Sequence, residues 1–342
     1  MTAGVELLAA LALTVLLAWA ITGMVRRHAL NNAILDIPNS RSSHMVPTPR
    51  GGGLAIVLTF LPCVAALYFL RMLDLPIAAA LAGGGGSIAV VGYLDDRKAL
   101  SASIRFAVHM GASIGVVILL GGLAGSSLRA IGLQGIFAGS VIAVLSLGWM
   151  TNLFNFMDGI DGIAASETVF IASAGAWLSW RAGADPGLVI AMLALSGATV
   201  GFLIWNWPPA RIFLGDVGSG FLGFILAALG LAASRSGVTP IEVWVILGGV
   251  FLVDSSATLL RRIVRGDRWL EAHRTHAYQR LARRWHGHRP VTAAILAVNV
   301  LWLLPLAWLA ATYREQAWWF VAAALIPLAA LAMAIGAGRR EG

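Results

Sequence analysis

Charged residues are scarce in this sequence. Asp, Glu, Lys and Arg make up 12% of its 342 residues, whereas an ordinary soluble domain carries about a quarter. Hydrophobic residues account for 59%, and the mean hydropathy is +0.83. A soluble fold cannot bury that much apolar surface, which excludes both a pair of soluble domains and a disordered chain. Cysteine is nearly absent as well, and the single Cys63 excludes a disulfide-rich secreted scaffold.

Long apolar runs take up most of the chain. A spanning helix needs about 20 mainly apolar residues. We therefore predict an all-α polytopic membrane protein, a bundle of 10–11 transmembrane helices in one integral membrane domain over residues 1–342. The eighth span is short enough to be tilted or partly re-entrant. The predicted spans are 5–25, 53–70, 76–94, 104–122, 134–150, 163–180, 187–205, 219–233, 241–260, 291–311 and 317–336.

Basic residues are divided unequally between the predicted loops. Nineteen of the 24 Lys and Arg residues lie in the loops after odd-numbered spans or in the C-terminal tail. Because cytoplasmic loops carry an excess of Lys and Arg, we place these loops and the C-terminus in the cytoplasm and the N-terminus outside. The net charge of +8 reflects this bias, so nucleic acid is not expected as a partner.

Acidic residues are few, and several gather in the same odd-numbered loops. Asp95 and Asp96 end the third span, Asp158 and Asp161 follow the fifth, and Asp216 follows the seventh. The charge argument used Lys and Arg alone, so this grouping on one membrane face is an independent observation. A separate acid, Asp254, lies inside the ninth span, where we expect it to face the bundle interior and pair with a polar or cationic neighbour. A lipid-exposed carboxylate would be costly.

The acidic clusters suit phosphate chemistry. Asp158 and Asp161 are three residues apart and share one face of a helical turn, and Asn152 and Asn155 repeat that spacing. Acids and amides at a membrane edge indicate a metal or diphosphate site, with an ordinary polar turn as the alternative. Asp216 stands between glycines at a helix start, where it is either a helix cap or the ligand of a metal that bridges phosphates.

Two basic loops supply groups that bind anions. In the first loop Arg41, His44 and Arg50 are donors for an anion. The loop after the ninth span is about 30 residues long, with nine arginines and four histidines, among them His273 and His276. An arginine- and histidine-rich cover over a diphosphate explains this composition better than zinc does. A helix on an anionic lipid surface remains an alternative. Together the loops predict a cytoplasmic site for Mg²⁺ and a multiply phosphorylated ligand, open to lipid.

These residues resemble the polyprenyl-phosphate N-acetylhexosamine-1-phosphate transferases, of glycosyltransferase 4 type. The resemblance covers about residues 30–290. The blocks that carry it, in the family's order, are 36–52, 95–96, 155–162, 215–219 and 273–276.

The resemblance implies that a UDP-N-acetylhexosamine donates its sugar 1-phosphate to undecaprenyl phosphate and releases UMP, in a bacterial inner membrane. Asp216 would ligate Mg²⁺, with Mn²⁺ as the alternative ion. Asp95 would be the base or the orienting carboxylate for the lipid phosphate, with Asp96 beside it. Asp158 and Asp161 would line the same cleft. The expected substrate-binding residues are Asn152, Asn155, Arg41, His44, Arg50, His273 and His276.

The donor sugar is less strongly indicated. Residues 276–279 read His-Ala-Tyr-Gln, which departs from the adjacent histidines of the muramyl-pentapeptide transferases and resembles the O-antigen initiating branch. That branch uses 6-deoxy donors such as UDP-N-acetylfucosamine or UDP-N-acetylquinovosamine. UDP-N-acetylglucosamine and UDP-N-acetylmuramyl-pentapeptide remain alternatives. An intramembrane prenyl transferase and a transporter are remote alternatives, and a homodimer is left open.

Overall fold

The fold is built almost entirely of helices, which confirms the predicted class. The structure, a computed structural model, describes residues 2–38, 46–123, 135–267 and 274–340. In these ranges two short strands, β1 (Leu35–Asp36) and β2 (Thr48–Pro49), pair antiparallel. The helices are α1 (Thr2–Asn31), α2 (Gly53–Phe69), α3 (Leu75–Arg97), α4 (Ala102–Leu120), α5 (Ile136–Met157), α6 (Ile163–Arg181), α7 (Pro186–Asn206), α8 (Asp216–Arg235), α9 (Ile241–Leu247), α10 (Gly249–Val264), α11 (Ala277–Arg284), α12 (His288–Thr312) and α13 (Ala317–Ile335).

Each predicted span corresponds to a helix or, for the ninth, to a bent pair. Within the described ranges, seven helices are long and apolar enough to cross a bilayer, or eight if the bent pair counts as one span. The helices α1, α2 and α6 fall outside that count, so the number of 10–11 crossings stays a prediction. Two spans, α3 and α12, each contain one π-helical segment, at Ala80–Gly84 and Asn299–Leu303.

Local sequence explains where several helices begin and end. The Ser101 hydroxyl accepts the N–H of Ile104 at 3.3 Å and caps α4. Asp185 precedes Pro186, the first residue of α7, and proline favours that position because its fixed φ suits a helix and it lacks an N–H. At the other end of the chain, α13 stops at Gly336, whose φ of 100° is left-handed and easiest for glycine.

The ninth span is broken, which corrects the prediction of one helix over 241–260. The axes of α9 and α10 differ by 75° at Gly248. Gly248 and Gly249 stand side by side, and adjacent glycines weaken a helix and permit a sharp kink. The break turns α10 away from α9 and leads the chain towards α11.

Helix α8 lies at the centre of the bundle and packs against α3 and α5. It runs the length of a full span, which removes the expectation of a short or re-entrant segment, and 94% of its most apolar stretch is buried. Glycines allow this close packing, because a methyl group at Gly92 would collide with the carbonyl of Asp216 and one at Gly53 with the backbone of Gly218. Small residues bring helix backbones together in membranes in this way.

Loops of one parity meet at each end of the bundle. At one end Arg314 donates to the carbonyls of Gly237 and Val238, at 2.8 and 2.6 Å, which joins the loops after the eighth and tenth spans. Gly187 packs on the Met72 carbonyl, which joins the loops after the second and sixth spans. The odd-numbered loops meet at the other end, as the grouping of acidic residues predicted.

Candidate active site

A polar cavity of about 320 Å³ opens where the odd-numbered loops meet. Five aspartates line it, together with Arg50, His288 and neutral polar groups. Five sequence motifs were expected at the site. Residues from four of them line this one cavity, namely the motifs at 36–52, 95–96, 155–162 and 215–219. The lining residues are Asp36, Arg50, Asp96, Asn155, Asp158, Gly159, Ile160, Asp161, Asn206, Phe213, Leu214, Gly215, Asp216, Ser219, Gln279 and His288.

Asp96 joins α3 to the start of α8. Its two carboxylate oxygens accept the backbone N–H groups of Asp216 and Val217, each at 3.1 Å. The first N–H groups of a helix have no partner within that helix, and Asp96 provides one from another helix. Gly215, with φ of 75°, makes the turn into α8, and a Cβ there would crowd the Asp96 carboxylate. Asp96 therefore positions Asp216 at the cavity wall.

The loop before α8 is held against the first loop by backbone hydrogen bonds. Gly52 N donates to Phe213 O at 2.9 Å, and Phe213 N donates to Pro49 O at 2.8 Å. This pairing places Arg50 beside the cavity, where its guanidinium donates to the backbone carbonyl of Asp96. In the described part of the first loop, Arg50 is consequently a basic residue at the site.

Asp216 is oriented by the amide of Asn155. Asn155 Nδ2 donates to Asp216 Oδ1 at 2.7 Å and to Ser219 Oγ at 3.3 Å. Asn155 belongs to α5 and the other two residues to α8, so the contact fixes the carboxylate between two helices. Asn155 therefore bonds only one of the two carboxylate oxygens of Asp216.

Asp158 follows the end of α5 and carries the least compensated charge of the cavity. No hydrogen bond from the described residues reaches its side chain. Burial, followed by the negative charges of Asp216, Asp96 and Asp161, raises the pKa of Asp158 well above its usual range. Such a carboxyl stabilises a cation that binds beside it, because the cation relieves the repulsion.

Asp161 is bound to two other segments of the chain. Its Oδ2 accepts the N–H of Ala210 at 3.0 Å, and its Oδ1 lies 3.2 Å from His288 Nδ1. The backbone carbonyl of Asp161 accepts the Thr292 hydroxyl at 3.0 Å. These contacts tie the loop after α5 to the beginning of α12, so both oxygens of Asp161 already have partners.

Asp95 lies behind the cavity wall and is held by its own neighbours. Its Oδ2 pairs with Arg105 at 2.7 Å, and its Oδ1 accepts the N–H of Leu100 at 2.6 Å. The carboxyl group is also within hydrogen-bonding reach of Asp216. Asp95 thus adjoins the principal acidic group, although it does not line the cavity.

Asp254 anchors the short helix α11. Its oxygens accept the N–H groups of Ala277 and Tyr278, both at 2.9 Å, and His276 Nδ1 lies 3.4 Å from Oδ1. Asp254 is only 4% exposed, which confirms the prediction that it faces the interior and has a polar partner. The anchor positions Gln279 at the cavity.

Tyr278 connects α11 to the loop after α5. Its hydroxyl donates to the Phe156 carbonyl at 3.0 Å and packs on Gly159, where a methyl group would collide with it. Burial, followed by the charges of Asp254 and Asp158, raises the pKa of the Tyr278 hydroxyl well above its usual range. The phenol therefore stays protonated and remains a hydrogen-bond donor.

The structure places the predicted site residues in three groups. The cavity is lined by Arg50, Asp96, Asn155, Asp158, Asp161 and Asp216. Three others lie outside its wall: Asp95, described above, His276, buried against Asp254, and Asn152, whose amide donates to the Gly148 carbonyl at 2.7 Å. Arg41, His44 and His273 fall outside the described residues.

The sequence interpretation omitted several residues of the cavity. Asp36 opens the first-loop motif and Ser219 closes the motif of Asp216, so both could have been included with their motifs. His288 carried only the weak signal of a histidine-containing loop. Gln279 belonged to the His-Ala-Tyr-Gln sequence at 276–279, which was used to interpret the donor sugar and not to predict the site. The Asn206 side chain bonds Gly162 N at 3.0 Å and Ile212 O at 2.9 Å, so its amide is used to hold the wall.

The donor set of the cavity fits Mg²⁺. This ion prefers carboxylate oxygens and usually takes one or two of them, with phosphate oxygens and water completing its shell. Asp216 and Asp158 offer hard oxygen ligands in a cavity lined by five carboxyl groups. Among the described residues, no three His, Cys, Asp or Glu side chains are arranged to hold a metal by themselves, so a cation here would need substrate oxygens or water.

Known proteins with similar sequences share one activity class. The family model of glycosyl transferase family 4 matches residues 78–234. A probable undecaprenyl-phosphate N-acetylglucosaminyl 1-phosphate transferase of Bacillus subtilis (strain 168) is 30% identical over 84% of this chain and 80% of its own length. The chain belongs to the polyprenyl-phosphate N-acetylhexosamine-1-phosphate transferase family. It is therefore a transferase and a multi-pass membrane protein.

Two further relatives of the transferase are named for different substrates. A decaprenyl-phosphate N-acetylglucosaminephosphotransferase of Mycobacterium tuberculosis (strain CDC 1551 / Oshkosh) is 31% identical over 80% of this chain and 75% of its own length. A phospho-N-acetylmuramoyl-pentapeptide-transferase of Kocuria rhizophila is 29% identical over 71% of this chain and 76% of its own length. The matched region in the family model includes the acidic residues from Asp95 to Asp216.

Proposed function

We propose that this transferase moves N-acetylhexosamine 1-phosphate from a UDP-sugar to undecaprenyl phosphate and releases UMP. The observation that carries the proposal is the cavity itself. Five aspartates line it beside Arg50, at one end of a bundle of apolar helices. A water-soluble nucleotide can enter such a site from one side, and a lipid phosphate can approach from the bilayer.

The reaction is a phosphoryl transfer. An oxygen of the lipid phosphate forms a bond to the sugar-bearing phosphorus, and the bond from that phosphorus to the bridging oxygen breaks, with UMP taking the electron pair. Positioning and neutralisation of charge dominate such reactions. Direct attack by the lipid phosphate and a covalent aspartyl-phosphate intermediate are the two routes, and formation or absence of a labelled enzyme from a labelled donor distinguishes them.

The chain's residues divide the work in this proposal. Asp216, oriented by Asn155, would hold Mg²⁺ or Mn²⁺ for the donor diphosphate, and Asp158 would add negative charge to the same cavity. When bound, the ion neutralises charge that develops on the diphosphate. Asp95 does not line the cavity, so as a base or an orienting carboxylate it would act on the lipid phosphate from its place beside Asp216. Arg50 offers N–H donors to an anion.

We propose a 6-deoxy-N-acetylhexosamine donor, and with it a role in initiating O-antigen or another surface polysaccharide. The support is the His-Ala-Tyr-Gln sequence at 276–279, because Gln279 lines the cavity in which the donor would bind. UDP-N-acetylglucosamine is the second candidate, favoured because the Bacillus and Mycobacterium relatives are N-acetylglucosamine phosphate transferases by name. UDP-N-acetylmuramyl-pentapeptide is the third, from the Kocuria relative.

The assay that tests these proposals is release of UMP from a panel of UDP-sugars by purified protein. Turnover should require both undecaprenyl phosphate and Mg²⁺, and Asp216→Asn is the inactive reference. Highest kcat/KM with UDP-N-acetylfucosamine or UDP-N-acetylquinovosamine would support the 6-deoxy donor. Highest kcat/KM with UDP-N-acetylglucosamine would replace it by the second candidate. UMP release without the lipid phosphate would contradict the proposed reaction.

The remaining parts of the proposal concern location and assembly. We place the chain in the bacterial inner membrane, with the cavity and the C-terminus on the cytoplasmic side and the N-terminus outside. The 19 Lys and Arg residues of the odd-numbered loops and the tail support this orientation. A homodimer stays a prediction, to be tested by the mass of the detergent-solubilised protein.

A further inference from the structure

His288 is a cavity residue that lies far along the chain from the acidic motifs. It is the first residue of α12 and lines the cavity beside Asp161. Its side chain is 17% exposed, so the imidazole is largely enclosed but still reaches the cavity surface. Arg50 and His288 are the two basic side chains among the described lining residues.

The ring of His288 is held through one of its two nitrogens. Nδ1 lies 3.2 Å from Asp161 Oδ1 and 3.4 Å from Asp161 N. The hydroxyl of Thr292, one turn further along α12, donates to the Asp161 carbonyl at 3.0 Å. The helix and the loop are therefore fixed to each other at two successive turns, and the imidazole has little freedom to rotate away.

This arrangement leaves the second ring nitrogen for a ligand. Both contacts of the imidazole use Nδ1, and no hydrogen bond from the described residues reaches Nε2. A carboxylate that binds one ring nitrogen orients the other, a recurring way of presenting histidine to a substrate or a metal. Asp161 fits the supporting role, because its Oδ2 is also engaged, by Ala210 N at 3.0 Å.

We propose that His288 is a further binding residue for the nucleotide-sugar donor, with Asp161 acting as a positioning residue through it. The inference rests on the proposed function, which supplies the donor. Five carboxyl groups line the cavity, and ionised carboxylates only accept hydrogen bonds. A ligand that carries phosphates and hydroxyls therefore needs partners of another kind as well. An imidazole whose Nδ1–H donates to Asp161 Oδ1 presents Nε2 to a ligand, as an acceptor of a hydroxyl when the ring is neutral and as a donor to a phosphate when the ring is protonated.

Two substitutions separate the two ring nitrogens. His288→Asn places an amide nitrogen near the position of Nδ1 and keeps the contact with Asp161, but it removes the atom at Nε2. His288→Gln reaches the position of Nε2 and gives up the contact at Nδ1. The matched control is His286→Gln, since His286 is exposed, lies two residues away and is not among the lining residues of the cavity.

Steady-state kinetics with each substrate varied in turn test the proposal. We expect His288→Asn to raise the KM for the UDP-sugar about tenfold, the scale of one lost hydrogen bond to a charged group. The KM for undecaprenyl phosphate should stay unchanged. His288→Gln should recover most of the donor affinity, and His286→Gln should behave as wild type. An unchanged donor KM in His288→Asn, or an equal rise for the lipid phosphate, would overturn the inference.

Direct binding keeps this test separate from the proposed reaction. Calorimetric titration of wild type and of each variant with UDP and with the UDP-sugars needs no turnover. If wild type binds UDP but shows no transfer to lipid phosphate, the proposed reaction fails while weaker UDP binding by His288→Asn still supports the inference. If wild type binds none of these ligands, both fail. If both His288 variants melt at the same temperature as wild type, neither loss of binding comes from unfolding.

Discussion

The aspartates of the cavity differ in how many of their oxygens already have partners. Both oxygens of Asp96 accept N–H groups of α8, and both oxygens of Asp161 are engaged by Ala210 and His288. Asn155 bonds Asp216 at one oxygen, Asp95 is within hydrogen-bonding reach of the same carboxyl group, and no hydrogen bond from the described residues reaches Asp158. Carboxylates of equal charge therefore have different roles, and Asp216 and Asp158 are the ones best able to accept a cation.

The division of roles between Asp216 and Asp95 can be tested by removing one charge at a time. Asp216→Asn should lose metal-dependent donor binding and about 10²-fold or more in rate, at about 1.4 kcal/mol per decade. Asp95→Asn should also stop turnover, yet it should keep Mg²⁺-dependent binding of the UDP-sugar. Calorimetric titration of the two variants is the measurement. The opposite pattern would show that the two roles are reversed.

Proton release should accompany Mg²⁺ binding. Burial and the neighbouring charges raise the pKa of Asp158, so its carboxyl holds a proton to higher pH in the cation-free protein than an ordinary aspartate does. A cation favours the charged form and lowers that pKa, which releases the proton. Titrations in buffers of different ionisation enthalpy should show a buffer-dependent heat that falls in Asp158→Asn. A heat independent of buffer would contradict the expectation.

At the scale of helices, the crossing of α3 and α8 sets the positions of the acidic groups. Gly92 lies against the Asp216 carbonyl, four residues before Asp96, whose carboxylate caps α8. If the two helices were pushed apart, Asp96 would lose its N–H partners and Asp216 would shift. The close approach is therefore a requirement of the site as well as of the packing.

Two glycines of α3 provide a matched pair for this requirement. Gly92→Ala should lower the melting temperature and abolish most activity, because the added methyl would collide with backbone that cannot move aside. Gly83→Ala places the same methyl in the same helix where nothing lies within 4 Å, and it should leave both quantities near wild type. Thermal unfolding in detergent and the UMP-release assay measure the two effects. Equal tolerance of both substitutions would contradict the described crossing.

Helix α11 shows how an acid inside a span can shape a site outside it. Asp254 satisfies the first N–H groups of α11, and this anchor places Tyr278 over Gly159 and Gln279 at the cavity. Residues 277–279, on which the proposed choice of donor rests, are thus held by a carboxylate in a different helix. Their position depends on the bend between α9 and α10.

For the whole molecule, the charge distribution predicts which end faces the cytoplasm. In a Cys63→Ala background, a cysteine at Ser126 should react with an impermeant thiol reagent added outside, and a cysteine at Ser42 should not. Both positions fall outside the described residues. Ser236, exposed between α8 and α9, belongs to the same predicted face as Ser126, so Ser236→Cys should also react with the reagent. Labelling of the Ser42→Cys variant alone would reverse the topology.

Properties that depend on short stretches were readable from the sequence. The positions of the spans, the charge bias and the grouping of acidic motifs on one face each follow from residues that are close together in the sequence. The lipid environment makes them decisive, because unpaired backbone groups and charges are costly there. The motifs at Asp95, Asp158 and Asp216 were also sufficient to indicate the family that the relatives then showed.

The tertiary structure alone decided what each motif residue contacts. Asn155 meets Asp216 across 61 positions and His288 meets Asp161 across 127, and no local pattern encodes which oxygen of a carboxylate is already used. The same reason explains why His276 belongs to the anchor of α11 and His288 to the cavity, although both are histidines of one loop. The bend at Gly248 had a local cause in adjacent glycines, but its angle of 75° and the packing of α10 against α13 are seen only in the tertiary structure.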